Sequence, residues 1–254
     1  MNMAHIAAPL QADIAFQANL YEDSNPTRRG LHLSRREWVE TALVLNLPPQ
    51  GSVIEVGIGC GIFTRFLSSI GARTTAVDIN PAFVMGVQDL NGVTPVIADA
   101  TADLDMGLHD LALCSEVLEH VPPERSAAML KNLHSALKPG GLLILTTPQR
   151  FASVELMARL LKFPPVLAVA RRLYGTADEL GHINLLTAGQ LEVQLRHAGF
   201  AIESHTRFGF YLPFIAEFGG QAGWRTLRAI ERVIRHMPLL KGLIWTQAYV
   251  LRKM

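Results

Sequence analysis

The run Val53-Ile54-Glu55-Val56 leads directly into Gly57-Ile58-Gly59-Cys60-Gly61, and a helical pattern follows it. Glycines tolerate positive φ and leave bare backbone against which a ligand can lie. A helix beginning there offers unpaired N–H groups to a negative charge. Downstream the chain keeps the same rhythm. Strands are expected at Ser52–Val56, Arg73–Val77, Val93–Ala98, Leu111–Cys114 and Gly141–Thr147. Helices are expected between them at Gly61–Ile70, Pro81–Leu90 and Pro123–Leu137, with prolines near two of the starts, where a missing N–H costs little. Strands alternating with helices predict a parallel sheet covered on both faces.

Around this unit the pattern changes. Residues 1–50 read as amphipathic helix, broken at Asp23-Ser24-Asn25-Pro26 and closed by Pro48-Pro49-Gln50-Gly51. Thr187–His197 reads as a helix with Thr187 as N-cap and Gly199 past its end. Ala201–Phe208 and Ile244–Leu251 read as two late strands. The hydrophobic fraction of 49% with only 18% charged residues excludes a disordered chain. No stretch approaches the roughly 18 apolar residues of a spanning helix.

Net charge is +1, which argues against a protein built to coat a nucleic-acid backbone. That balance conceals an asymmetry. Residues 150–174 and 221–241 each carry a net +4 on apolar segments, leaving −7 for the rest. Cys60 and Cys114 are the only cysteines and form no disulfide or metal pattern. With no secretory signal pattern at the N-terminus, a reducing cytoplasm is the expected location.

The glycine spacing is GxGxG, and Glu55 stands two residues ahead of its first glycine. This arrangement resembles the first motif of the class I S-adenosylmethionine (SAM)-dependent methyltransferases. Further matches follow in order. Asp78-Ile79 closes the second strand, and Asp99-Ala100 follows the third. Leu113–Val121, containing Ser115, resembles the fourth motif, and Leu137-Lys138-Pro139-Gly140-Gly141 resembles the turn into strand five. The resemblance implies an α/β fold: a Rossmann-like, seven-stranded, mostly parallel sheet with helices on both faces. Residues 1–50 would form an N-terminal helical lid and 51–150 the SAM-binding half. Residues 151–254 would form a cap insertion and the C-terminal half of the same domain. It also implies cofactor contacts at Glu55, Gly57, Gly59, Gly61, Asp78, Ile79, Asp99, Ala100 and Ser115, with Asp78 on the ribose hydroxyls and Asp99 on the adenine amino group. In the lid, one of Arg28 and Arg29, with Arg28 the first candidate, would pair with the cofactor's carboxylate, since a guanidinium forks onto such a group; the alternative is a solvated arginine pair. A dehydrogenase is disfavoured by the tight glycine spacing.

Glu116, Glu119 and His120 stand at i, i+3 and i+4, which would share one face of a helical turn. The feature resembles two methyltransferase subfamilies that bind a divalent ion: the ubiquinone-biosynthesis O-methyltransferases and the small-RNA 3′-terminal 2′-O-methyltransferases. By the same resemblance His182, in Leu180–Thr187, is the fourth candidate ligand. An ion there would lower the pKa of an acceptor hydroxyl and orient it. Mg, Mn, Fe and Zn all stay open, with two imidazoles favouring the last three. In the alternative, no metal binds and His120 serves as base or packing residue; His120, His182 and Glu119 are the catalytic candidates.

In the ubiquinone-pathway enzymes an apolar, basic insertion after strand five rests on a membrane, and Phe151–Tyr174 occupies that slot here. In residues 221–241, Leu227, Ile230, Ile234 and Met237 fall on one side of a helix and Arg225, Arg228, Arg232 and Arg235 on another. Such a helix suits an anionic membrane surface, or it caps a substrate pocket. The expected activity is O-methylation of a small hydrophobic or lipid-linked hydroxyl acceptor by a cytoplasmic enzyme, peripheral on the membrane where these segments reach it. The alternatives are RNA 3′-terminal 2′-O-methylation, metal-free C- or N-methylation, and a non-catalytic SAM-binding module, with nucleic acid the least favoured partner.

Overall fold

A computed structural model of the chain describes residues 17–102, 107–161 and 182–254. The sheet runs through strands β1 (Ser52–Val56), β2 (Arg73–Asp78), β3 (Val93–Ile97), β4 (His109–Ser115), β5 (Leu137–Pro148), β6 (Phe200–Phe208) and β7 (Thr246–Lys253). Its spatial order is β3-β2-β1-β4-β5-β7-β6, parallel except for β7, which runs antiparallel to both neighbours. The cofactor-type half and the C-terminal half therefore share one sheet. Strand order reverses between β1 and β4, and in open α/β sheets ligands bind at such a switch point, beyond the strands' carboxyl ends.

Helices α1 (Pro26–Asn46), α2 (Ile62–Ser69), α3 (Pro81–Met85) and α4 (Ser126–Ser135) accompany the first five strands. Asn25 caps α1 by accepting the N–H groups of Thr27 and Arg28, with Pro26 in the first turn, so the turn-prone segment is the cap of a 21-residue helix. Asn80 caps α3 in the same way. That helix ends at Met85 rather than Leu90, because Gly86 sits at its C-cap and the chain continues in turns. The expected helix from Pro123 divides into a short 3-10 turn, Pro123–Arg125, and α4. Pro95 lies on β3, an edge strand, where its missing N–H faces no partner.

Beyond β5 come α5 (Ser153–Leu161) and α6 (Ala188–His197), the latter closed by a reciprocal capping box between Thr187 and Gln190. Between β6 and β7 stand α7 (Pro213–Phe218) and α8 (Gly220–Ile234). The insertion expected at 151–174 opens with α5; its remainder, 162–174, lies outside the described residues.

Two apolar layers sandwich the sheet. Leu130, Leu133, Leu191, Leu195 and Phe200 belong to one, and Val39, Leu43, Phe63 and Leu67 to the other, all buried. A third cluster joins Phe210, Ala216, Leu227 and Ile234. The apolar face of α8 is thereby spent inside the protein, against α7 and α1. This corrects one expectation: α8 cannot present Leu227 and Ile234 to a bilayer. Among the described residues no helix is long and apolar enough to cross a membrane.

Candidate active site

A cavity of about 860 Å³ opens at the carboxyl ends of β1 to β4. Its floor is the glycine turn. Gly57 holds the sheet by donating its N–H to Val77 O at 2.8 Å and has φ of 75°. A Cβ on Gly57 would come within 2.2 Å of Val117 Cγ2, so this position requires glycine on two counts. Gly59 lines the cavity, whereas Gly61 lies behind it as the N-cap of α2.

Glu55 does not reach the cavity wall. Its carboxylate is 2% exposed and accepts the Thr64 hydroxyl at 2.7 Å, tying α2 to β1. Burial, with Asp78 adding to it against the Thr64 hydrogen bond, pushes its pKa up to about 8. Asp78 does line the cavity, accepting the N–H of Gly59 at 3.2 Å and of Asn80 at 2.8 Å. Burial raises its pKa. Asp99 accepts both the hydroxyl and the N–H of Thr101, which hold its carboxylate below the ordinary range. Ile79, Ala100 and Ser115 are also on the wall, with the Ser115 and Thr146 hydroxyls 2.9 Å apart.

Glu116 departs from its expected place. The chain passes through it in the left-handed region, φ 57°, and only Leu118–His120 winds, as a 3-10 turn. Its carboxylate therefore turns to Arg35 at 3.0 Å instead of joining Glu119 and His120 on one helical face. Among the described residues, the group whose ligating atoms lie within 4.8 Å of one another is Glu119, His120 and His182. Glu116, expected beside them, lines the same cavity but stands outside that group.

Glu119 is fully buried. One carboxylate oxygen accepts the Thr147 hydroxyl at 2.9 Å and Oε1 has no partner. Burial first, then the charge of Glu116, drives its pKa well upward. Its backbone carbonyl accepts the N–H groups of Ile183 and Asn184, and Asn184 donates its amide to Leu118 O. These bonds bring His182 across from a distant segment until its ring centroid is 5.2 Å from that of His120.

Arg28 lies outside the cavity lining, on the protein's surface, where it pairs with Glu217 and Asp23. Arg35, further along α1, does line the cavity. Burial opposes its charge, but Glu116 and Tyr21 outweigh burial and raise its pKa, and its Nε has no partner. A sequence signal for it existed: Thr27, Leu31, Arg35, Val39 and Leu43 form an i+4 row, and every member is buried. Gln17, also unforeseen, accepts the Cys60 N–H at 2.8 Å and so lies over the glycine turn.

Residues 31–205 match the family model of a methyltransferase domain. The chain is 33% identical over 115 residues to a ubiquinone biosynthesis O-methyltransferase of Paraburkholderia xenovorans, covering 42% of this chain and 48% of that protein. It is 34% identical over 164 residues to one of Xanthomonas euvesicatoria, covering 57% and 66%. The matches thus span about half to just under two thirds of these relatives. Among solved structures, the N-methyltransferase NodS of Bradyrhizobium japonicum, in complex with S-adenosyl-L-homocysteine, superposes with a TM-score of 0.59 at 16% identity over 96% of both chains. Magnesium protoporphyrin IX methyltransferase of Synechocystis, also with bound S-adenosylhomocysteine, gives 0.59 at 20% identity, over 89% of this chain and 84% of that one. The seven-stranded fold, the glycine turn at its switch point and the family match over residues 31–205 agree: the chain belongs to the methyltransferase-domain family, among the class I SAM-dependent methyltransferases.

Proposed function

We propose that the protein methylates a hydroxyl on a small, hydrophobic acceptor, using SAM and assisted by a divalent ion. The carrying observation is the convergence of Glu119, His120 and His182 beside the glycine turn. SAM supplies an activated methyl on a sulfonium. The chain's own part is to position the acceptor, exclude water and remove a proton.

The cavity residues suit that cofactor. Gly57 and Gly59 leave bare backbone at the floor, and Asp78 offers a carboxylate held by two N–H groups. Arg35, with an unpartnered buried Nε, replaces Arg28 as the candidate for the methionine carboxylate. The ion fits as well. Glu119 Oε1 is a buried carboxylate oxygen without a partner, and two imidazoles stand close to it. One carboxylate and two imidazoles favour Mn, Fe or Zn over Mg. These groups would orient the acceptor oxygen, and a lone pair on His120 or His182 would take its proton if no ion were bound.

Peripheral membrane contact, in this reading, falls to other residues than the apolar face of α8. Phe214 and Phe218 on α7 are 76% and 69% exposed, and Arg225 and Arg232 on α8 and Arg235 at its C-cap are exposed, with α8 packed on α7. Exposed aromatics beside cations suit an anionic lipid surface.

The test is incubation with methyl-labelled SAM and separate lipid, polar-metabolite and RNA fractions, with and without exhaustive chelation. Label in an ether linkage in the lipid or apolar fraction, lost on chelation and restored by Mn or Zn, is expected. Label in RNA, or on carbon or nitrogen with chelator present, would replace this reading with one of its rivals.

A further inference from the structure

His182 is held from both ends. Its backbone segment hangs on the Glu119 carbonyl, and its ring meets a buried carboxylate that the cavity does not see. Glu155, on α5, is 3% exposed and lies outside the cavity lining. Its Oε1 is 3.0 Å from His182 Nδ1 and also accepts the Trp245 indole N–H at 3.2 Å.

We infer that Glu155 is a positioning residue that fixes the tautomer and orientation of His182, so that Nε2 presents a lone pair to the cavity. A carboxylate oxygen can only accept, so the ring nitrogen facing it carries the hydrogen. In a neutral imidazole the other nitrogen then carries the lone pair. Ligation of an ion and uptake of an acceptor's proton both need that lone pair on Nε2, and a hydrogen there blocks both. A carboxylate behind a working imidazole is a recurrent device, and its loss typically costs about 10- to 100-fold in metal affinity or activity.

Two further contacts support a placed carboxylate rather than a chance pairing. Trp245 is itself fixed, its backbone N–H bonding Gly209 O at 2.6 Å, and its indole N–H holds Glu155 in register. The start of α5 is anchored too: Ala152 is fully buried, and Ser153 Oγ accepts the Tyr211 N–H at 3.3 Å. The helix that opens the apolar insertion thus carries the residue that sets the imidazole.

The inference rests on the proposed use of His182, yet its test needs no acceptor and no turnover. Long-range 1H–15N correlation spectra of the full chain, in alkaline buffer without metal, report which imidazole nitrogen bears hydrogen. For His182, assigned by its loss in His182→Gln, the wild type is expected to show hydrogen on Nδ1 alone. In Glu155→Leu the ring should shift toward the Nε2–H form, and Mn affinity should fall about 10- to 100-fold. Glu155→Gln, whose amide oxygen can still accept, should restore much of both. Trp245→Phe should keep the Nδ1–H tautomer. Any wild-type form lacking a lone pair on Nε2 overturns the inference whether or not the variants fold, and so does an unchanged tautomer in folded Glu155→Leu. An Nδ1–H tautomer in a protein that transfers no methyl to hydroxyl would instead sink the proposed function and leave this device standing.

Discussion

Arg35 Nη1 lies 3.0 Å from Glu116 Oε2, and this pair joins α1 to the turn after β4 on the wall of the cavity. Both side chains are largely shielded from water, and the second guanidinium nitrogen reaches the Tyr21 hydroxyl at 3.3 Å and His32 Nδ1 at 3.1 Å. Arg35 faces the charge of Glu116 and also that of Glu119. Truncating it strands a carboxylate in a poorly solvated cleft, a change that costs about 3 kcal/mol or more when one partner of a buried pair is lost. Arg35→Ala is expected to lower stability by that order in chemical denaturation and to weaken SAM at least tenfold by calorimetry. Arg28→Ala is the internal comparison. Its side chain is half exposed, so SAM affinity should stay within about twofold and stability within about 1 kcal/mol.

Glu55 gives a pH signature. Its folded pKa of about 8 lies above the ordinary carboxylate value of 4.5, so between these limits the folded state binds more protons than the unfolded one. Stability from this group is complete below about pH 4.5, falls as pH rises through the interval, and is gone above about pH 8. Glu55→Gln removes the ionisation while keeping an acceptor for the Thr64 hydroxyl. The difference in unfolding free energy between variant and wild type should therefore drift in the variant's favour from pH 5 to 8, by about a few kcal/mol. Using the difference matters because His32 contributes the opposite slope. Burial, reinforced by Arg35, lowers its pKa to about 3, so its stabilising contribution is lost as pH falls below about 6.5. A flat difference curve would show that Glu55 is ionised in the folded protein.

Local signals carried far in this chain where local interactions decide the structure. β1 spans Ser52–Val56, the bounds that its apolar run and the flanking glycines suggest, and Asn25, Asn80 and Thr187 cap helices as their side chains dictate. The cavity floor was legible for the same reason, since only glycine fits the conformation of Gly57 and the space beneath Val117. What escaped depends on distant partners. Glu116 reads as one face of a helical turn with Glu119, but it adopts a left-handed conformation, a cost met by its bond to Arg35 some eighty residues away. Arg28 and Arg35 are alike as residue types, and the buried i+4 row of α1 chooses between them. Glu155 carried no motif at all. Its neighbours in sequence are apolar, and its partners, His182 and Trp245, come from two other parts of the chain.

Gly57→Ala should be the most damaging single substitution in the glycine turn. The added methyl meets Val117 Cγ2 at 2.2 Å, and φ of 75° is a region that side chains rarely adopt. Positive φ in a non-glycine residue costs about 1 kcal/mol, and the clash adds strain that a packed core relieves only partly. Val117 belongs to the turn that precedes Glu119, so the displacement reaches the ligand cluster. A fall in melting temperature together with loss of SAM binding is expected. Val117→Ala in the same background removes the contacting methyls and should recover part of the stability; recovery of none would mean that backbone strain alone is limiting.

Glu231 is a buried acid on α8. Its carboxylate is 1% exposed, although it sits on α8 amid arginines. Oε1 is 3.1 Å from Arg228 and 2.8 Å from Arg235, while Oε2 accepts the Gly209 N–H at 3.1 Å. The two arginines are partly exposed and can turn to water, so the ion pairs themselves contribute modestly. The Gly209 N–H is buried and cannot. Glu231→Ala should therefore cost about 1–3 kcal/mol, the penalty of an orphaned buried donor, whereas Glu231→Gln, which keeps an acceptor, should cost about 1 kcal/mol or less. Gly209 also accepts the Trp245 N–H, and Trp245 holds Glu155. The alanine variant should accordingly raise KM for the acceptor more than it raises the Kd for SAM, with steady-state kinetics and calorimetry giving the two numbers. Equal stability losses in the alanine and glutamine variants would instead locate the effect in the arginine pairs.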